Sequence, residues 1–78
     1  MDTALTGAMR AFLQRLADAG GVGHRRDIGS AHSREEDRAR QACCRAGYAE
    51  FRQDESDPKK RFAWHLTRNG RAALASPS

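Results

Sequence analysis

The chain has no long apolar run. No stretch approaches the roughly 20 consecutive apolar residues that span a membrane, and Met1 is followed by neither a basic segment nor an apolar one. The sequence therefore predicts a cytoplasmic protein without a signal peptide or a transmembrane helix.

Aromatic residues are also few, with five among 78 residues. A chain of this length buries only about 60% of its unfolded surface, so it has material for one small core.

Cysteine is scarce as well. The two cysteines, Cys43 and Cys44, are adjacent, and neighbouring side chains on a helix point about 100° apart, which prevents an ordinary disulfide. We expect reduced thiols, with Cys43 in the core and Cys44 partly exposed. The histidines His24, His32 and His65 add possible zinc ligands, but no usual ligand spacing occurs. No metal or other cofactor is therefore expected.

Catalytic patterns are missing from the sequence. It contains no glycine-rich phosphate loop, and no serine or cysteine has a base at a known spacing. A chain this small also leaves no room for a cleft between paired carboxylates. We therefore expect that the protein is not an enzyme.

Acidic residues are outnumbered by basic ones, ten against 14, which gives a formal net charge of +4. Twelve of the basic residues are arginine. The planar guanidinium group suits bidentate contacts with phosphate and guanine. The charge therefore favours an anionic partner.

Apolar periodicity predicts the first helix, from about Thr6 to Ala19. Its apolar stripe consists of Leu5, Met9, Phe12, Leu13 and Leu16. Glycines stop this helix, and a short extra strand is expected near Val22. Residues 24–31 then suggest a short second helix with one large apolar side chain, Ile28.

A capping box of Ser33 and Glu36 begins a third helix, and Gly47 ends it. Small residues share one side of this helix: Ala39, Ala42, Cys43 and Ala46. A polar stripe falls at i, i+4, i+7 and i+11 on another side: Arg34, Arg38, Gln41 and Arg45. The small side is expected to pack against the first helix, which leaves the polar stripe facing outward.

Two β-strands are predicted next, from Tyr48 to Gln53 and from Phe62 to Leu66, joined by a polar loop that contains proline. Side chains of the second strand alternate between two faces: Phe62, Trp64 and Leu66 on one, and Arg61, Ala63 and His65 on the other. The aromatic face is expected to close the core, so Trp64 is predicted to be a core residue rather than a platform for stacking bases. Thr67 then caps a final helix.

Two segments of the sequence resemble, in the same order, two segments of a known protein family. The segment from Arg45 to Phe51 resembles the junction of helix end, glycine and first wing strand in winged helix-turn-helix proteins. The segment from Leu66 to Leu74 is similar to the Leu-Thr-x-x-Gly-Arg stretch after the wing in MarR-like and PadR-like regulators. The resemblance implies a small α+β winged helix with three helices, a β-hairpin wing and a short C-terminal helix. The expected division is one domain, residues 1–75, and a disordered tail, residues 76–78.

The resemblance also implies a function, transcription regulation on double-stranded DNA, with the third helix in the major groove and the wing on phosphates. The implied contacts on the third helix are Ser33, Arg34, Arg38, Gln41 and Arg45. The implied wing contacts are Lys59, Lys60 and Arg61. One copy offers only about four to six phosphate contacts, so a homodimer or a protein partner is expected as well.

Acidic side chains leave an alternative open. They lie on the third helix (Glu35, Glu36, Asp37) and in the loop between the strands (Asp54, Glu55, Asp57). Carboxylates there would repel phosphate, and they also have basic neighbours with which they can pair. The alternative is a solvated charged surface, or a winged-helix module that binds protein and not DNA.

Overall fold

A computed structural model describes residues 5–29 and 33–75. The elements in these residues are α1 (Gly7–Asp18), β1 (Val22–Gly23), α2 (Arg25–Ile28), α3 (Arg34–Arg45), β2 (Ala49–Gln53), β3 (Phe62–Leu66) and α4 (Arg68–Ala75). The predicted α+β class is therefore confirmed. Neither twelve-residue helix, nor any other helix in the described residues, has the length and apolarity that crossing a bilayer requires. The predicted tail, residues 76–78, lies outside the described residues.

The third helix begins at its predicted cap, Ser33, and the first begins one residue after the predicted start, with Thr6 as its cap. The Thr6 side chain accepts a hydrogen bond from the Met9 amide at 3.1 Å, so Thr6 precedes α1 as its cap. Ser33 caps α3 in the same way, through the Glu36 amide at 3.2 Å. These oxygens satisfy amides that no carbonyl within the helix reaches.

The second helix is shorter than predicted. The prediction extended it over residues 24–31, whereas α2 ends at Ile28. Gly29 follows with φ of +89°, a conformation that leaves the helix and that glycine adopts at little cost. The rest of the predicted segment, Ser30 and Ala31, lies outside the described residues, as does His32.

The strand predicted near Val22 is present and adds a third strand to the sheet. It pairs with β3, which also pairs with β2, so the strand order is β1-β3-β2 and both pairings are antiparallel. Val22 lies opposite His65, and Phe51 opposite Trp64. The hairpin is therefore anchored to the body of the domain through its second strand.

The core forms where the sheet packs against α1 and α3. Its buried members are Phe12, Leu13, Leu16, Ile28, Cys43, Ala49, Trp64 and Leu66. The ring centres of Phe12 and Trp64 are 5.6 Å apart and their planes meet at 88°, an edge-to-face arrangement that aromatic pairs favour. Trp64 is 8% exposed, which confirms the prediction that it belongs to the core.

The predicted burial pattern along β3 is wrong in two respects. Ala63 and His65, expected to point away from the core, are buried too, and His65 Nε2 lies 3.2 Å from the carbonyl oxygen of Arg52. His65 lies between Val22 of β1 and Glu50 of β2, so side chains of both neighbouring strands flank it on this face. Phe62, expected in the core, is 56% exposed because it lies at the end of the strand, beside the hairpin loop.

The start of α4 approaches the chain before β2 closely, because residue 70 is glycine. The Gly70 amide donates to Thr67 Oγ1 at 3.0 Å, and that hydroxyl donates to the Gly47 carbonyl oxygen at 2.6 Å. A Cβ at position 70 would collide with the carbonyl oxygen of Tyr48 and lie 2.7 Å from Leu66 Cδ1. This close approach explains the glycine of the Leu-Thr-x-x-Gly-Arg segment.

Gly70→Ala should lower the free energy of unfolding by about 1 to 3 kcal/mol, because a backbone carbonyl must move to admit the methyl group. Gly7→Ala is the control, since nothing lies within 4 Å of a Cβ there, and its effect should stay within about 1 kcal/mol. Urea unfolding followed by circular dichroism measures both. Equal stability of the two variants would contradict the packing described for α4.

Trp64→Ala should cost about 3 to 5 kcal/mol, because it removes a large ring from the core. Phe62→Ala, on the same strand but mostly exposed, should cost much less. The same unfolding measurement compares them. A Trp64→Ala variant as stable as the wild-type protein would show that the core does not depend on this ring.

Candidate functional site

The α3 helix has a buried side and an exposed side opposite to it. Ala39, Arg40 and Cys43 are buried. At 100° per residue, the predicted polar stripe projects from the opposite side of the helix, and its members are all exposed. We call the exposed polar residues of this helix and its cap the α3 face: Ser33, Arg34, Arg38, Gln41 and Arg45.

The arginines of the α3 face lie on the same helix as three carboxylates, those of Glu35, Glu36 and Asp37. Within the described part of the chain, no ion pair involves Arg34, Arg38 or Arg45. Gln41 differs, because its amide donates to Asp37 Oδ2 at 3.1 Å. The face therefore presents three guanidinium groups without a carboxylate partner among the described residues.

The basic residues of the hairpin loop are mostly engaged within the loop. Lys60 Nζ lies 3.1 Å from Glu55 Oε1, and Arg61 Nε lies 3.0 Å from Asp57 Oδ2. Lys59 has no ion pair among the described residues. Of the three predicted wing contacts, two therefore already have a carboxylate partner.

Two aspartates organise this loop. Asp54 accepts hydrogen bonds from Ser56, and its Oδ2 lies 2.8 Å from His24 Nε2, next to β1. Hydrogen bonds from Ser56, and then from His24, lower the pKa of Asp54. Asp57 accepts from both the amide and the side chain of Arg61, and the side-chain bond is the main reason that its pKa falls to about 2.

A groove of about 710 Å³ runs beside the α3 face, between α3 and the sheet. We call it the α3 groove, and its lining is Arg25, Asp37, Arg40, Gln41, Cys44, Arg45, Phe51 and Trp64. The floor is largely apolar and aromatic, while three arginines and one aspartate contribute charge. Most of these residues were not predicted as site residues, because residues from four separate elements form the groove.

Arg40 is the principal residue that the sequence did not reveal. It is 6% exposed, and its guanidinium carbon lies 5.4 Å from the ring centre of Phe12 and 5.1 Å from that of Trp64. Loss of hydration on burial lowers the pKa of Arg40. The one available signal was helical position, since Arg40 projects near Cys43 on the side of the helix with small residues.

The cysteines lie as predicted, with Cys43 buried and Cys44 partly exposed, both as free thiols. Burial raises the pKa of Cys43 to about 12, which makes it a poor nucleophile and ligand at neutral pH. Among the described residues, no group of three or more His, Cys, Asp or Glu side chains is arranged to hold a metal ion.

Comparison with known proteins gives no match to a family model, a curated protein or a solved structure. A functional proposal for this chain therefore depends on the geometry of the α3 face, the hairpin loop and the α3 groove.

The lowered pKa of Asp57 predicts a specific acid sensitivity. A carboxylate with a folded-state pKa of about 2, below the ordinary 3.8, stabilises the fold above pH 4, and this contribution is lost as pH falls towards 2. Asp57→Asn should therefore flatten the decline in urea midpoint over that pH range. Glu55→Gln, which removes only an exposed ion pair of the same loop, is the control. Parallel declines for wild-type and Asp57→Asn proteins would contradict the role given to Asp57.

Proposed function

We propose that this protein is a winged helix-turn-helix protein that binds double-stranded DNA and regulates transcription, with α3 as its recognition helix. The observation that carries the proposal is the α3 face, which points away from the core and presents three unpaired arginines within the described residues. The order α1-β1-α2-α3-β2-β3 supports it, because the β2–β3 hairpin follows α3 as a wing would. In this proposal the protein acts in the cytoplasm, without catalysis or a cofactor.

The length and chemistry of α3 suit the major groove. Its 12 residues extend about 18 Å, and the major groove is about 12 Å wide and admits one helix. Guanidinium groups donate two hydrogen bonds to a guanine edge or to a phosphate, so Arg34 and Arg38 can serve either purpose. Gln41 can read adenine once its amide leaves Asp37.

The wing contributes less than α3 in this proposal. Lys60 and Arg61 already pair with loop carboxylates, and those carboxylates oppose an approaching phosphate. Lys59 is the wing residue that is best placed to contact phosphate. A single copy thus makes few phosphate contacts, and tight specific binding would require a homodimer or a protein partner.

Arg34→Ala and Arg38→Ala should each weaken duplex binding and lower the slope of log K against log salt by about 1. Both side chains are exposed, so neither variant should change the fold. Arg68→Ala, an exposed arginine on α4, is the matched control and should bind like the wild-type protein. Fluorescence anisotropy with a labelled duplex at about 50 and about 200 mM salt measures these effects.

Lys59→Ala should lower the salt slope by about 1, and adding Lys60→Ala should increase that loss to at most about 2. Adding Lys60→Ala should lower the salt slope by less than Lys59→Ala does, because Lys60 is paired with Glu55. The DNA proposal is wrong if the wild-type protein binds no duplex more tightly than about 100 μM at physiological salt, the weak end of non-specific binding. It is also wrong if Arg68→Ala weakens binding as much as Arg34→Ala.

A further inference from the structure

The α3 groove has an apolar floor that is open to solvent. Phe51 lines it and is 50% exposed, and its ring centre lies 5.1 Å from that of Trp64 and 5.5 Å from that of Phe62. Phe51 and Phe62 are the exposed large apolar side chains of the described residues. An exposed aromatic ring in the lining of a groove of this volume, here that of Phe51, is typical of a binding site for an apolar group.

The groove also carries positive charge. Arg25, Arg40 and Arg45 line it against a single carboxylate, that of Asp37. Arg40 is 94% buried and packs on two aromatic rings, and no ion pair or hydrogen bond from the described residues engages its guanidinium. Because no buried side-chain nitrogen of the described residues lacks a hydrogen-bond partner, the nitrogens of this guanidinium remain accessible from the groove, and an anionic group that enters it can accept hydrogen bonds from them.

The chemistry of the groove selects among possible occupants. A second copy bound through the same face would place these arginines against their own counterparts. A single-stranded nucleic acid binds along a series of exposed rings on which successive bases stack, whereas Phe51 is the one exposed ring among the described residues that line this groove. The buried Trp64 also offers no free ring face on which a base can stack.

We propose that the α3 groove binds an acidic segment of a partner protein, with one apolar side chain on Phe51 and flanking carboxylates on Arg25 and Arg40. A carboxylate on a flexible side chain can enter the groove, and an adjacent leucine or phenylalanine covers the exposed ring. Bidentate hydrogen bonds between guanidinium and carboxylate give the contact its geometry.

The site overlaps the α3 face, because Gln41 and Arg45 belong to both. A bound segment would therefore compete with duplex DNA for the protein. Only this competition rests on the DNA-binding proposal; binding of the peptide itself does not.

The test uses a labelled short peptide of acidic residues around one phenylalanine, titrated with the full chain and followed by fluorescence anisotropy. Replacing the peptide phenylalanine by alanine, or Phe51 by alanine in the protein, should weaken binding about tenfold. Phe62→Ala is the matched control, since this ring is equally exposed but does not line the groove, and it should change binding less than about twofold.

Charge is tested in the same assay. Arg25→Ala and Arg40→Met should each weaken peptide binding about tenfold, the usual loss for a charge-assisted hydrogen bond, whereas Arg68→Ala should have no effect. Arg40 is buried, so circular dichroism must first show that Arg40→Met is folded; if it is not, the exposed Arg25 decides.

Three results would overturn the proposal. They are the absence of saturable peptide binding, equal losses for Phe51→Ala and Phe62→Ala, and Phe51-dependent binding of a single-stranded oligothymidylate in place of the peptide. Peptide binding without any duplex affinity would refute the DNA proposal and support this one. Peptide that binds and displaces a bound duplex supports both.

Discussion

The guanidinium of Arg40 lies within 5.4 Å of the ring centres of both Phe12 and Trp64, so one side chain of α3 joins α1 to the central strand of the sheet. Burying a cation costs hydration, and contact with two aromatic ring faces offsets part of that cost. Together with the burial of Ala39 and Cys43, this contact sets which side of α3 faces the core. Because Arg40 and Cys43 point inward, the arginines of the α3 face must point outward.

Local signals in the sequence predicted most of the elements. Ser33 marked the start of α3, apolar periodicity placed the start of α1 near Thr6, and the alternation through Trp64 marked β3, because capping and side-chain periodicity act within a few neighbouring residues. The burial of Arg40 was not predictable from such signals, since it depends on rings from α1 and β3. The early end of α2 at Ile28 depends on the φ of one glycine, which the sequence permits but does not require.

The residues of the candidate site also fall into two groups, those predicted from local signals and those that depend on the tertiary structure. The exposed residues of α3 follow from helical geometry, so the sequence identified them. The contacts of the hairpin loop depend on how it folds back, with Asp57 on Arg61 and Asp54 on His24. The sequence had left pairing within the loop and contact with phosphate both open. The α3 groove likewise requires the sheet to lie beside α3. The polar α3 face and the largely aromatic α3 groove are therefore neighbouring surfaces, and they share Gln41 and Arg45.

We have proposed that the outward side of α3 is the surface that contacts DNA. Amide chemical shifts of the nitrogen-15-labelled protein, followed during titration with a duplex, test it most directly. We expect shift changes along residues 33–45 and smaller ones in the loop around Lys59, with α4 unaffected. Changes confined to α4 and α1, or none at duplex concentrations above about 100 μM, would contradict it.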